Sequence, residues 1–131
     1  GSIVFSPLAQ GMLTTKYLGG IPDDSRAARD HFLKKDFIRP SIIDNIRKLN
    51  DIAGRRGQTL AQMAIAWVLR GGRVTSALVG ASRPEQLRDT VGALANLDFS
   101  DAELAEIDTY ARDADINLWA ASAERKGPTR K

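Results

Sequence analysis

Two short segments carry residue types suited to holding a charged small molecule. The first is Gly80-Ala81-Ser82-Arg83-Pro84-Glu85-Gln86, which follows an apolar, β-prone run and opens a helical one. Unpaired backbone N–H groups and the helix dipole make such a start attractive to anions. Gly80 lets a ligand approach the main chain, Ser82 offers a hydroxyl, and the Arg83 guanidinium can grip a phosphate through paired hydrogen bonds. A plainer use fits the same residues, with Ser82 capping a helix and Arg83 a solvated charge. On spacing alone the plainer use leads. The second segment is Ser6-Pro7-Leu8-Ala9-Gln10-Gly11, after an earlier β-prone run and before a long loop that holds Lys16 and Arg26. A strand ending in small and polar residues can line a ligand site. Taken alone, it reads more simply as an ordinary exit from a strand.

Other chemistry is thinly represented. There is no cysteine, which excludes disulfides and thiolate metal sites, and suits a reducing, cytoplasmic setting. His31 is the sole histidine and stands in a charged loop. The acidic stretch from Asp23 to Asp30 reads as a solvated or ion-paired loop, because a Mg2+ or Ca2+ site needs converging oxygens. No metal site is expected. The net charge of +3 is spread along the chain, with no basic block interleaved with aromatics. Nucleic acid is therefore not the expected partner. No apolar run approaches the roughly 20 residues that span a bilayer, and the first residues lack the pattern of a signal peptide.

The elements that must position the two segments are well marked. Apolar β-prone runs occupy Ile3 to Leu8 and Val74 to Val79. Helical spacing of apolar residues predicts helices over Ser41 to Arg56, Thr59 to Arg70, Ser82 to Leu97 and Ser100 to Arg112. Ser41-x-x-Asp44, Thr59-x-x-Gln62, Ser82-x-x-Glu85 and Ser100-x-x-Glu103 all resemble N-caps, the last three as full capping boxes. Trp67 and Tyr110 read as packing residues. Arg55 and Arg56 meet the dipole at a helix end. Residues 113–131 form an irregular, charged tail in which Trp119 either packs or borders a ligand mouth. The 131 residues allow one domain.

The order strand, two helices, strand, helix, helix implies parallel strands joined by a right-handed crossover. Two parallel strands cannot cover both faces of their sheet, and sheets of this kind are buried. More strands are expected, from another chain or from a longer protein. A (β/α)8 barrel takes about 250 residues, and this is roughly half of one.

Taken together, FSPLAQGMLTTKYLGGIPDDSRA and, some fifty residues on, ALVGASRPEQLRDTVGAL resemble the aldo-keto reductases over nearly the whole chain. Within the family the chain resembles the branch of the potassium-channel β subunits and the bacterial L-glyceraldehyde 3-phosphate reductases, and DINLWAASAERK also resembles the C-terminal tail of that bacterial group. The resemblance implies an α/β fold: the C-terminal part of a (β/α)8 TIM barrel, with strands 7 and 8, their helices and the C-terminal helix. It implies NADPH as cofactor and a small-molecule carbonyl as substrate. Ser6, Pro7, Leu8, Ala9 and Gln10 would lie along the diphosphate and its ribose, and Phe5 at the position of the aromatic that stacks on the nicotinamide. Lys16 and Arg26 match basic residues of the loop that closes over the cofactor. Gly80, Ser82 and Gln86, with Arg83 added, match the contacts to the 2′-phosphate and adenine. Asp89 matches an acidic position near the adenine, while Thr90 replaces the family's Asn there and cannot make its paired amide contact.

The family's catalytic Tyr, Lys, Asp and His belong to earlier strands, and no position here matches them. Tyr17 falls in the cofactor loop. The resemblance thus implies an inactive cofactor-binding segment of a homo-oligomeric reductase, needing the N-terminal barrel half or a second chain. Two alternatives stand beside it: a non-catalytic nucleotide-binding or regulatory module, and a half-barrel completed by association with another copy.

Overall fold

A computed structural model describes residues 1–20 and 38–112. Arg26, His31, Trp119, the stretch 23–30 and the tail 113–131 lie outside the described residues. The described elements are strand β1 (Ile3–Phe5), helices α1 (Pro40–Arg55) and α2 (Leu60–Leu69), strand β2 (Ser76–Leu78), and helices α3 (Pro84–Gly92) and α4 (Asp101–Tyr110). Single 3-10 turns stand at Ala9–Gly11, Thr15–Tyr17, Arg70–Gly72 and Ala93–Ala95.

The two strands pair in parallel, with Ile3 opposite Ser76, Val4 opposite Ala77 and Phe5 opposite Leu78. Ser2 extends the pairing: its carbonyl accepts the N–H groups of Thr75 and Ser76, and its own N–H donates to Thr75 Oγ1. Both strands are shorter than the apolar runs that predict them. β1 stops because Ser6 turns to a φ of 55°, a left-handed conformation that an extended ladder cannot contain. Alternation along the strands gives the sheet two unlike faces. Val4 and Ala77 are half-buried on the side where β2 meets α2. Ile3, Phe5 and Leu78 on the other side are 73%, 59% and 63% exposed.

The core lies beside the sheet, among the helices. α1 is its spine, burying Ile42, Ile43, Ile46, Leu49, Ile52 and Ala53 along one face. Leu60 and Met63 of α2, Ile107 of α4, and Met12 and Tyr17 from the segment after β1 close around it. Trp67 and Tyr110 pack against this cluster, as the spacing suggests.

Two of the four expected caps form as written. Thr59 with Gln62, and Ser100 with Glu103, each make both reciprocal bonds of a capping box. The other two do not. α1 begins at Pro40 with Arg39 at the N-cap, and α3 begins at Pro84 with Arg83 at the N-cap; neither cap residue makes a side-chain cap bond. The cause is the same in both. Proline fixes the first helical φ and pushes its predecessor into extended backbone, so the cap falls one residue before the proline. Ser41 is thereby inside α1, and Ser82 stands one residue too early. α3 also ends sooner than the spacing predicts, giving way to a 3-10 turn after Gly92. The predicted apolar stripe of α3 is open: Leu87, Val91 and Leu94 are each half exposed or more.

Arg56 does more than meet a dipole. Its side chain is only 2% exposed. The guanidinium donates to Glu103 Oε2 at 2.8 Å, to Gln58 Oε1 at 2.9 Å and to the Asn96 carbonyl at 3.4 Å, and lies 3.7 Å from the centre of the Phe99 ring. It therefore joins the end of α1 to the start of α4. Exposed Arg55 adds a pair to Glu106 at 2.6 Å.

The Glu103 carboxyl is held below its usual range. The Ser100 N–H that donates to it is the chief cause; burial opposes, and the charge and hydrogen bond of Arg56, with the Ser100 side chain, lower it further. A carboxyl with a depressed folded pKa contributes stability that is fully present above its unfolded value of 4.5 and is lost as pH falls through the folded value. Glu103→Gln should therefore lower the urea midpoint at neutral pH. The gap to the unaltered chain should narrow as pH falls below that value, and a gap of constant size would refute this account.

Candidate functional site

Parallel pairing sends both candidate segments out of the same edge of the sheet. With Phe5 opposite Leu78, the chain after β1 and the chain after β2 leave side by side at the carboxyl ends of the strands. Neighbouring strands lie about 4.8 Å apart, so the two exits are within the span of one phosphate-bearing ligand. The carboxyl edge is where sheets of this class hold ligands, since the loops there are free of the ladder.

The first exit is a tight series of turns. Ser6 and Ala9 both take positive φ, 55° and 46°, and Gly11 follows at 95°. The Ala9 N–H donates to the Ser6 carbonyl at 3.0 Å, and Gly11 and Leu13 both donate to the carbonyl of Leu8. The bends keep Ser6 exposed at the edge while Pro7, Leu8 and Ala9 are half-buried. The backbone of Gln10 forms the middle of the 3-10 turn. Lys16 lies further along, exposed, with its ammonium 6.0 Å from the centre of the Tyr17 ring. Tyr17 itself is 2% exposed, a core residue. Phe5 stands on the open face of the sheet beside Leu78.

The second exit runs through Gly80, where an added Cβ would meet no atom within 4 Å. Ser82, Arg83 and Gln86 are all exposed. Capping at this end is inverted from the expectation: Gln86 Oε1 accepts from the Ser82 N–H at 2.9 Å and from the Ser82 hydroxyl at 3.1 Å. The side chain of Gln86 folds back over the helix start and holds Ser82 at the edge. Asp89 and Thr90 are half-buried on α3. Asp89 faces α2, where its carboxylate takes a hydrogen bond from the Thr59 hydroxyl at 3.2 Å and one from Gln62 Nε2 at 3.1 Å.

The structure thus brings Ser6 to Ala9 and Gly80 to Gln86 to one edge, sets Asp89 a turn away against α2, and leaves Arg26 outside the described residues. Gln62 was missed as a residue touching this region. Its position three residues after Thr59 is fully accounted for by the cap, and no local signal points 27 residues on to Asp89. Among the described residues there is no cluster of metal-ligating side chains, and no helix is long and apolar enough to cross a membrane.

Comparison with known proteins agrees with the family resemblance read from the sequence. The chain is 50% identical over 129 residues to the L-glyceraldehyde 3-phosphate reductases of Escherichia coli O157:H7 and Escherichia coli strain K12. Each alignment covers 95% of this chain and 37% of the relative, so the chain spans little more than a third of the length of these curated relatives. Residues 1–112 match the profile of the Aldo/keto reductase family. With that match over most of its length, the chain belongs to the aldo/keto reductase family.

Proposed function

We propose that this chain is the cofactor-clamping segment of an NADPH-dependent reductase of aldehydes or ketones, equivalent to strands 7 and 8 of a (β/α)8 barrel with the helices that follow. One observation carries the reading: the loops after β1 and β2 leave the same carboxyl edge in adjacent register. The residues fit the cofactor. Open space at Gly80 admits a ligand to the backbone, and Ser82, Arg83 and Gln86 stand exposed around the start of α3. Ser82 and Arg83 would hold the 2′-phosphate, the Arg by forked hydrogen bonds. Gln86 would face the adenine with Thr90, while Asp89, expected near the adenine, is instead turned to α2 and would act from behind them; Ser6 to Gln10 would follow the diphosphate. Lys16, with Arg26, would close over it. Phe5 on the open sheet face would lie against the nicotinamide.

When bound, NADPH supplies the hydride that reduces the carbonyl. The proton must come from an acid held against the substrate oxygen, and no residue of this chain matches the family's Tyr, Lys, Asp and His. Those groups, and the strands that cover Ile3, Phe5 and Leu78, would come from an N-terminal barrel half or another chain. A phosphorylated aldehyde such as L-glyceraldehyde 3-phosphate is the first substrate to try on a complete protein, from the names of the relatives.

Calorimetric titration of the 131-residue chain with NADPH should give saturable binding at one site per chain. The same preparation, mixed with NADPH and glyceraldehyde, should oxidise no NADPH above the buffer rate. Absence of binding would refute the cofactor reading, and measurable turnover would refute the assignment of the catalytic groups elsewhere.

A further inference from the structure

The polar contacts between α2 and α3 form a closed set. Gln62 Oε1 accepts the Thr59 N–H at 3.0 Å, while Thr59 Oγ1 accepts the Gln62 N–H at 3.1 Å; that is the capping box. The other end of the same amide leaves α2 altogether. Gln62 Nε2 donates to the Asp89 carbonyl at 2.9 Å and to Asp89 Oδ1 at 3.1 Å, and the Thr59 hydroxyl donates to Asp89 Oδ2. Three bonds thus tie the first turn of one helix to the middle of the next.

Gly92 makes room for this clasp. A Cβ there would stand 2.5 Å from Gln62 Nε2. Its φ of −57° is ordinary for a helix, so the backbone does not call for glycine at this position. The close approach of the amide does. Apolar anchorage of α3 is slight, because Leu87, Val91 and Leu94 are open and only Ala93, just past its end, is fully buried.

We propose that Gln62 is a positioning residue for the nucleotide end of the site: through Asp89 it fixes the rotation of α3 about its axis. This rests on the cofactor reading given above. Gln86 and Thr90 are one helical turn apart on α3, adjacent to Asp89, so any rotation that frees Asp89 also carries them. Side chains end about 5 to 6 Å from a helix axis. A rotation of about 10° therefore moves them by about 1 Å, enough to spoil hydrogen-bond geometry and positioning.

Gln62→Glu isolates the clasp from the cap. Glutamate at this position still accepts the Thr59 N–H, as in an ordinary capping box. It cannot donate to Asp89, and it sets a second carboxylate beside the first. The Kd for 2′,5′-ADP, measured well below the melting temperature of the variant, should rise about tenfold. Backbone amides of α3 should exchange with solvent faster while those of α1 do not. Gly92→Ala attacks the clasp from the other side with a better helix former, and should weaken 2′,5′-ADP in the same direction even where the first variant folds poorly. A purely structural role would lower the melting temperature and leave the Kd of the folded chain unchanged, and that result in Gly92→Ala overturns the proposal. Failure of the unaltered chain to bind 2′,5′-ADP overturns the cofactor reading itself, and this inference with it.

Discussion

Replacing Ser82 and Arg83 together by alanine raises the Kd for NADPH by about 30-fold and changes that for NADH by less than about threefold, if these residues hold the 2′-phosphate. Hydrogen bonds to a charged partner contribute about 1.5 to 3 kcal/mol, and about 1.4 kcal/mol is tenfold in affinity. Two such losses would sum to about 3 kcal/mol or more, and screening by water at these exposed positions lowers the expectation to about 2 kcal/mol. Both side chains are exposed in the free chain, so their removal leaves no buried group unpaired. Ser82 does hold Gln86 through its hydroxyl as well as its N–H. The N–H bond survives the substitution, and any general loosening of the helix start would weaken both cofactors alike. Titration of each cofactor against each form separates the two effects: an equal loss for NADPH and NADH would remove Ser82 and Arg83 from the phosphate.

The largest expected change in stability comes from Arg56→Ala, at about 3 kcal/mol. Removing one partner of a buried ion pair typically costs about 3 to 5 kcal/mol, because the other charge stays behind uncompensated. Here Glu103 keeps a third of its side chain in water and retains the Ser100 N–H, which sets the expectation at the lower end. The Asn96 carbonyl and the Gln58 side chain lose a donor as well, and Phe99 loses the cation stacked on its ring. Urea unfolding followed by circular dichroism measures the loss. Arg56→Met with Glu103→Leu should recover part of it, since an apolar pair of similar volume needs no compensation. A loss below about 1 kcal/mol in the single variant would show that the pair behaves as an exposed one.

What the sequence discloses follows the range over which each interaction acts. The caps at Thr59 and Ser100 close over three residues, and both form as read. The cap at Ser82 fails for an equally local reason, the proline two residues on, which the spacing rule does not weigh. Parallel pairing of the strands follows from the order of elements. Arg56 and Gln62 escape because their deciding partners are remote: Glu103 is 47 residues from Arg56 and Asp89 is 27 from Gln62. Each already has a sufficient local role, at a helix end and in a cap, so nothing in the chain asks for a second. The apolar stripe of α3 predicts the helix correctly but not its cover, because Leu87, Val91 and Leu94 meet no apolar partner that buries them among the described residues. The candidate site is legible only as a pair of segments, since each alone reads as an ordinary strand exit.

The brevity of the strands sets how this chain behaves when concentrated. Each three-residue strand has one side in the ladder, and among the described residues its other side meets no further strand. Free edges of this kind can template β-addition, but edges this short offer few hydrogen bonds per contact and are one of the devices that discourage it. The apolar face at Ile3, Phe5 and Leu78 has no such restraint. Association of the isolated chain should therefore be side-chain driven and sensitive to salting-out ions, giving reversible oligomers rather than fibrils.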